Sequence, residues 1–327
     1  MRVHPHSLCR IVILSLATLV LATTAMSTQA QTRIIYKSAL AGTAYHQMGA
    51  ELAQAIRQDS SGTVLLSNEE SQGSVQNVME VAVREGLYMF TSPPALVAQA
   101  LSGEEPFSGG DHRHFHTIRG LFPVPSLTMH FVMAGDDGTT TIDALEEKHI
   151  LIGRGTFSAG EAARYFELFD LKDTVRLADA SITNGAEALR NGQIDAYVTA
   201  SSFPTPNVME TASLVPITLV SFTDEQIALT GAVRQIIPGG TYPGIADSVT
   251  TTSLPVMAYA TEKMDDETAY LLTKGFWEQK ANLAEQSAWW EGVSPDDLAH
   301  LSTPLHPGAL RYYDETGIEL PEGIRQE

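Results

Sequence analysis

The sequence predicts an α/β protein of two lobes, in which each lobe is a doubly wound sheet with flanking helices. Apolar residues make up 43% and charged residues 18% of the 327 residues, which is a globular composition. Short β-rich runs alternate with segments whose apolar residues recur at helical spacing, as in sheets covered by helices on both faces. This alternation begins twice, at Arg33 and again at Met129, and therefore indicates two units.

The first thirty residues have the pattern of a secretory signal peptide. Arg2 and Arg10 form a basic region, residues 11–22 are an apolar run, and a small polar stretch ends at Ala30. The run is shorter than the roughly 20 residues that span a bilayer. We expect cleavage near Ala30, export to the periplasm and no covalent membrane anchor. The single cysteine, Cys9, precedes the run, which excludes a disulfide framework.

The first unit alternates strands with helices in order. Strands are predicted over residues 33–37, 63–67 and 87–90. Helices are predicted over residues 45–56, 74–85 and 93–101. In the first of these helices, Met48, Leu52 and Ile56 share one face, and in the third a proline occupies the first turn. The order is that of a doubly wound parallel sheet.

The second unit repeats the pattern. Strands are predicted over residues 129–134, 149–153, 174–177 and 195–199. Helices are predicted over residues 141–147, 160–169, 183–191 and, late in the chain, 267–287. Gly192 follows the third of these helices, where a glycine commonly ends a helix.

The charge of the chain restricts its partners. The formal net charge is −19 at pH 7. A nucleic-acid-binding protein needs a basic face to neutralise phosphates, and docking on anionic lipid also needs basic residues. The charge therefore argues against nucleic acid and against the membrane surface as partners.

Five turns follow predicted strands, at the sheet edge where α/β proteins bind ligands. Four begin helices, whose first N–H groups have no helical partner and suit an anion such as a carboxylate. The candidate ligand-binding residues in the turns are Gly42, Thr43, Ala44, Tyr45, Gly73, Ser74, Ser92, Phe157, Ser158, Ala159, Gly160, Thr199 and Ser201. Arg154 lies beside one turn and would clamp a second carboxylate, although an exposed surface arginine is the alternative.

Two other stretches resemble a metal site and a catalytic motif, but each lacks part of the required pattern. His112, His114 and His116 would point one way on a strand, as zinc ligands do, but no carboxylate at fixed spacing completes the set. Ser158 is not in a nucleophile elbow, because Thr156 stands where its first glycine belongs. We therefore predict no metal site, no cofactor, no catalytic residue and no enzyme.

Six segments support a more specific interpretation. They are LAGTAY (40–45), SQGSVQN (71–77), LRNGQIDAYV (189–198), PTP (204–206), IPGGTYPG (237–244) and PLHPGALRYY (304–313). In these segments, which follow in order, the chain resembles the TAXI family of solute receptors, the extracytoplasmic binding subunits of TRAP transporters. Ala44, Ser201 and Ser202 depart from the residues that are usual in that family.

The resemblance implies a periplasmic-binding-protein clamshell of the type II kind. Its first lobe would comprise residues 31–125 plus 255–327 and its second residues 126–254, with a first connection between the lobes near residues 122–128. The ligand would lie between the lobes and contact Tyr242 as well. The resemblance also implies a small carboxylate or amino-acid ligand, such as glutamate or 2-oxoglutarate, and delivery to the TRAP permease. A receptor of the same fold that feeds a sensor kinase is the alternative.

Overall fold

The computed structural model describes residues 31–81, 83–109 and 111–325. The predicted signal peptide lies outside these residues. Across the described part of the chain, no helix has the length and apolar character that crossing a membrane requires.

Strands and helices alternate along most of the described chain. The strands are β1 (Thr32–Lys37), β2 (Val64–Glu69), β3 (Tyr88–Ser92), β4 (Ile118–Ala134), β5 (Gly138–Thr140), β6 (His149–Leu151), β7 (Arg176–Ala178), β8 (Ala196–Ser201), β9 (Ile217–Val220), β10 (Val233–Ile237) and β11 (Val249–Thr261). The helices are α1 (Ala44–Asp59), α2 (Ser74–Val81), α3 (Pro94–Ser102), α4 (Phe157–Leu168), α5 (Gly185–Arg190), α6 (Pro206–Leu214), α7 (Asp224–Thr230), α8 (Asp266–Gln286) and α9 (Pro307–Thr316).

The described strands form one mixed sheet in the order β2-β1-β3-β11-β4-β8-β6-β7, with β10 on β11, β9 on β4 and β5 on β9. Strand β1 is parallel to β2 and β3, and β6 is parallel to β7 and β8. The sequence predicts the strands of both parallel groups, but the strand that it predicts over 129–134 belongs to β4 and runs antiparallel to β8. Strands β4 and β11 run antiparallel to each other between the groups. The fold is a two-lobed α/β clamshell in which two long strands join the lobes.

The two joining strands explain where the lobes meet. Strand β4 pairs with β11 over its first part and with β8 from Thr128 to Met133. The register between β4 and β11 shifts between Leu254 and Val256. Proline has no N–H for a ladder hydrogen bond, and Pro125 lies opposite this shift. The irregularity therefore falls at the junction of the lobes.

Each part of the sheet has its own hydrophobic core. One cluster takes its buried residues from Ile34 to Leu127 and again from Val256 to Ile324. Two smaller clusters take theirs from Met129 to Val249. Chain segments far apart in sequence thus share the first core, because β11 returns the chain to it.

The predicted elements differ from the structure in several places. The helix predicted over 141–147 is a 3-10 turn, Ile142–Leu145, and 183–191 divides into the 3-10 turn Ile182–Asn184 and α5. The segment 122–128, where a connection between the lobes is predicted, lies in the middle of β4, one of the two strands that join the lobes. Strands β5, β9, β10 and β11 and helices α6, α7 and α9 were not predicted. Prolines within β4 and β11 obscure their strand pattern, since proline rarely occupies a central strand.

Candidate functional site

A cavity of about 250 Å³ opens where the carboxyl ends of β1, β3 and β8 meet the first turns of four helices. Four of its lining residues, Ala44, Tyr45, Leu127 and Val256, belong to the first hydrophobic cluster, and Ile182 belongs to one of the two smaller clusters. The other lining residues are 38–43, 72–74, 91, 156–158, 183, 199–201, 205–207 and 210. The cavity thus lies at the junction of the two lobes.

Threonine occupies the N-cap position of three of the four helices that border the cavity, and in two of them its hydroxyl accepts a capping hydrogen bond. The hydroxyl of Thr43 accepts a hydrogen bond from the N–H of His46 at 3.4 Å, and that of Thr156 accepts one from the N–H of Ala159 at 3.1 Å. Thr205 precedes α6, and its hydroxyl donates to the carbonyl oxygen of Ser202 at 2.8 Å. Each cap uses one donor at most, so further first-turn N–H groups stay available to a bound anion.

The cavity brings together ten of the fifteen residues that the sequence predicts for the site. These are Gly42, Thr43, Ala44, Tyr45, Gly73, Ser74, Phe157, Ser158, Thr199 and Ser201. They come from four turns that are separate in sequence, because the parallel strands end at the same edge of the sheet.

The other five residues lie elsewhere. Ser92 is buried and its hydroxyl donates to the carbonyl oxygen of Pro93; successive strand residues point to opposite faces, and it is Thr91 that lines the cavity. Ala159 packs in a core and Gly160 is exposed on α4. Arg154 is exposed and lines a neighbouring pocket with Asp179 and Ser181. Tyr242 is buried behind the cavity wall.

Tyr242 does not line the cavity but is hydrogen-bonded to Thr205, which does. The ring Nδ1 of His130 lies 2.9 Å from the carbonyl oxygen of Thr128, so this nitrogen carries the proton. The Tyr242 hydroxyl then donates to His130 Nε2 at 2.8 Å and accepts from the N–H of Thr205 at 3.0 Å. This buried chain of hydrogen bonds fixes the start of α6.

The buried His130 predicts a loss of stability in acid. Burial lowers its pKa from 6.5 to about 4. Because the folded pKa is the lower one, protonation favours the unfolded chain: the stabilisation is complete above about pH 6.5 and falls as the pH decreases to 4. The loss is on the order of 3 kcal/mol. Denaturant unfolding should show that the difference in the free energy of unfolding between wild type and His130→Gln is smaller at pH 4 than at pH 7 by that amount. A constant difference would contradict a neutral buried imidazole.

The electrostatics of the lining are unusual for an anion site. Among the lining residues that the structure describes there is no lysine, arginine or histidine, and Glu210 contributes a carboxylate. The Tyr45 hydroxyl donates to the carbonyl oxygen of Pro125, and burial raises the pKa of this phenol far above neutrality. Any positive potential in the cavity therefore comes from helix N-termini.

Two polar atoms of the lining are buried without a hydrogen-bond partner: the hydroxyl oxygen of Ser201 and the side-chain amide oxygen of Asn207. Most buried polar atoms in proteins have a partner. These two are therefore candidates for direct contact with a ligand.

Sequence reasoning missed several lining residues, among them Ser38, Asn207, Glu210 and Val256. Asn207 and Glu210 lie on α6, which was not predicted. The Thr205-Pro206 pair was a usable signal, since threonine before a helix and proline at its first position are common at helix starts. Val256 joins the lining through the return of β11, which no local pattern indicates.

A metal site at the three histidines and a serine nucleophile at Ser158 both have little structural support. His112, His114 and His116 lie in a 3-10 helix and not on a strand, so alternate positions do not bring the three rings to one side. Within the described residues, no group of three or more His, Cys, Asp or Glu side chains is placed to hold a metal ion. The Ser158 hydroxyl is hydrogen-bonded to that of Thr156 at 2.9 Å, and no histidine lines the cavity in the described chain.

Comparisons with known proteins agree with this architecture. The model of the NMT1-like family matches residues 38–317. The periplasmic binding protein BugD is 12% identical, with a TM-score of 0.56 over 89% of this chain and 99% of its own. A TctC solute binding protein from Polaromonas is 12% identical, with a TM-score of 0.50 over 84% of this chain and 90% of its own. The likeness to both structures is one of fold.

Proposed function

Because the chain belongs to the NMT1-like family, we propose that it is a periplasmic solute-binding protein, which captures a small organic anion between its lobes and delivers it to a membrane transporter. The observation that carries this proposal is the cavity at the lobe junction, bordered by the first turns of four helices. Such a cavity holds a ligand by backbone donors and hydroxyls. Its described lining residues include serine hydroxyls but no histidine or lysine that would activate one of them as the nucleophile of an acyl-transfer site.

The proposed ligand is a small carboxylate, such as glutamate or 2-oxoglutarate. Helix N-termini stabilise a carboxylate without a neighbouring arginine. The ten lining residues predicted from the sequence are the proposed contacts, and Tyr242 supports them through Thr205. Arg154 lines the adjoining pocket, where it would meet a second carboxylate of a longer ligand.

We further propose that the transporter is of the TRAP type and the receptor a TAXI protein. The support is the sequence resemblance, and three of its six segments, 40–45, 71–77 and 204–206, contribute to the cavity lining. The lobes would comprise residues 31–125 plus 255–327 and 126–254. Ligand that contacts both lobes would favour a closed form by its higher affinity for that form. The signal-peptide pattern at the N-terminus supports export.

Binding to the mature chain tests the proposal directly. We expect carboxylates to raise the melting temperature, since a ligand at 100 times its Kd stabilises a protein by about 2.7 kcal/mol. Neutral sugars of similar size are the control. Stabilisation by sugars alone would refute an anionic ligand. Turnover of ester substrates without stabilisation by any solute would refute the proposed receptor function. Loss of solute uptake on deletion of the gene would distinguish transport from sensing, in which only the transcriptional response to the solute is lost.

A further inference from the structure

We propose that Ser201, Asn207 and Glu210 form an amine-binding wall, so that the preferred ligand carries a protonated amine beside its carboxylate. This inference rests on the proposed function, because it assumes that the cavity is the ligand site. It narrows the ligand to the amino-acid class and disfavours the matching oxo acids.

The position of the three residues supports a common role. Ser201 ends β8 and is 6% exposed, with its hydroxyl oxygen unpartnered. Asn207 lies in the first turn of α6, and its amide oxygen is also buried and unpartnered. Glu210 follows three residues later, which places it on the same face of the helix. All three line the cavity.

The backbone of Asn207 is held while its side-chain oxygen is left free. The hydroxyl of Thr211 donates to the Asn207 carbonyl oxygen at 2.7 Å, and the Tyr197 hydroxyl lies 2.9 Å from the Thr211 hydroxyl and 3.3 Å from the same carbonyl oxygen. These contacts fix the main chain at this point. The amide oxygen has no partner in the described structure, so a ligand donor is the group that would satisfy it.

The chemistry of the wall favours a donor over an acceptor. An amide oxygen and a carboxylate only accept hydrogen bonds, whereas an ammonium group has three donors and a ketone has none. Pro206, the first residue of α6, has no N–H, which removes one donor from this wall. A carboxylate is therefore better placed at the starts of α1, α2 and α4.

Charge leads to the same conclusion. The described lining contains Glu210 and no basic side chain, so a second carboxylate inside the cavity would find no full positive charge, because Arg154 lines only the adjoining pocket. A zwitterion would place its ammonium group near Glu210 and its carboxylate at the helix N-termini, each with a favourable electrostatic partner.

Calorimetric titration of the mature protein with matched pairs of ligands tests the wall. Suitable pairs are glutamate with 2-oxoglutarate, alanine with pyruvate, and phenylalanine with phenylpyruvate, since each pair differs only in its amino or oxo group. For the pair whose side chain fits, we expect the amino acid to bind about 10- to 100-fold more tightly. Equal or tighter binding of the oxo acid would overturn the inference and leave the proposed function intact. If no carboxylate or other solute binds, the proposed function itself fails.

Variants of the wall residues test whether these residues cause the preference for the amino acid over the oxo acid. Asn207→Leu should weaken binding of the amino acid about tenfold or more and leave the affinity for the oxo acid unchanged. Asn207→Asp should preserve or strengthen amino-acid binding. Glu210 is exposed, so Glu210→Gln should weaken binding only about two- to fivefold, and less at high salt. Glu225→Gln removes an exposed carboxylate of the same lobe outside the cavity and is the matched control. Weaker amino-acid binding by Asn207→Asp would show that the amide presents its NH2 group, and would refute the wall.

Discussion

Replacing Ser74 with phenylalanine is expected to abolish ligand binding and to leave the fold intact. Ser74 is the first residue of α2, is half-buried and lines the cavity of about 250 Å³. An aromatic ring at this position would fill space that the ligand needs and would cover the N-terminus of α2. Ser74→Phe should lose the stabilisation of about 2.7 kcal/mol that ligand at 100 times its Kd gives the wild type. Its own free energy of unfolding should change by less than about 1 kcal/mol.

Ser213→Phe is the matched control for this prediction. Ser213 lies on α6 and is exposed, outside the cavity lining. The same chemical change there should leave ligand binding unaltered. Thermal shift and calorimetry on both variants decide the matter: unchanged affinity in Ser74→Phe would move the binding site away from this cavity.

Replacing Gly308 with alanine is expected to destabilise the protein by about 3 kcal/mol. A Cβ at this position would lie 2.0 Å from the carbonyl oxygen of Asp266 and 2.8 Å from the backbone nitrogen of Tyr270. Both atoms belong to the backbone of α8, so no side-chain rotation relieves the clash. Helix α9 would have to move away from α8, and the higher helix propensity of alanine, about 1 kcal/mol, offsets only part of the cost.

Gly292→Ala serves as the control, because its Cβ would have no heavy atom within 4 Å. Urea unfolding should place this variant within about 0.5 kcal/mol of the wild type. Equal destabilisation of both variants would show that the close approach of α9 to α8 does not explain the effect. Ligand affinity, corrected for unfolded protein, should be unchanged in both, since neither glycine lines the cavity.

The PLHPGALRYY segment shows that a motif can be structural. His306 caps α9: its Nδ1 accepts from the N–H of Gly308 at 3.2 Å, while its Nε2 donates to the carbonyl oxygen of Met264 at 2.9 Å. The Tyr313 hydroxyl donates to the carbonyl oxygen of Leu121 at 2.8 Å. The segment thus fastens α9 to the first core. The resemblance located it, and only its contacts reveal what it does.

The sequence pattern was sufficient to predict the strands, helices and turns that depend on neighbouring residues in the chain. Alternating β-rich runs and amphipathic segments predicted the strands of the two parallel groups, and the turns that contain Thr43 and Thr156 were expected to begin helices, although α4 begins at Phe157 and not at residue 160. Ten candidate residues meet at the cavity because the turns after parallel strands share one edge of the sheet.

The sequence by itself determined the two-lobed α/β architecture and most of the turns that border the cavity, because burial periodicity and helix capping depend on neighbours in the chain. Tertiary structure alone decided that β4 and β11 join the lobes, that Thr91 and not Ser92 lines the cavity, and that Tyr242 lies behind it. It also brought Asn207 and Glu210 into the wall. The physical reason is that strand register and long-range pairing set which side chains face a cavity, and these contacts join residues far apart in sequence.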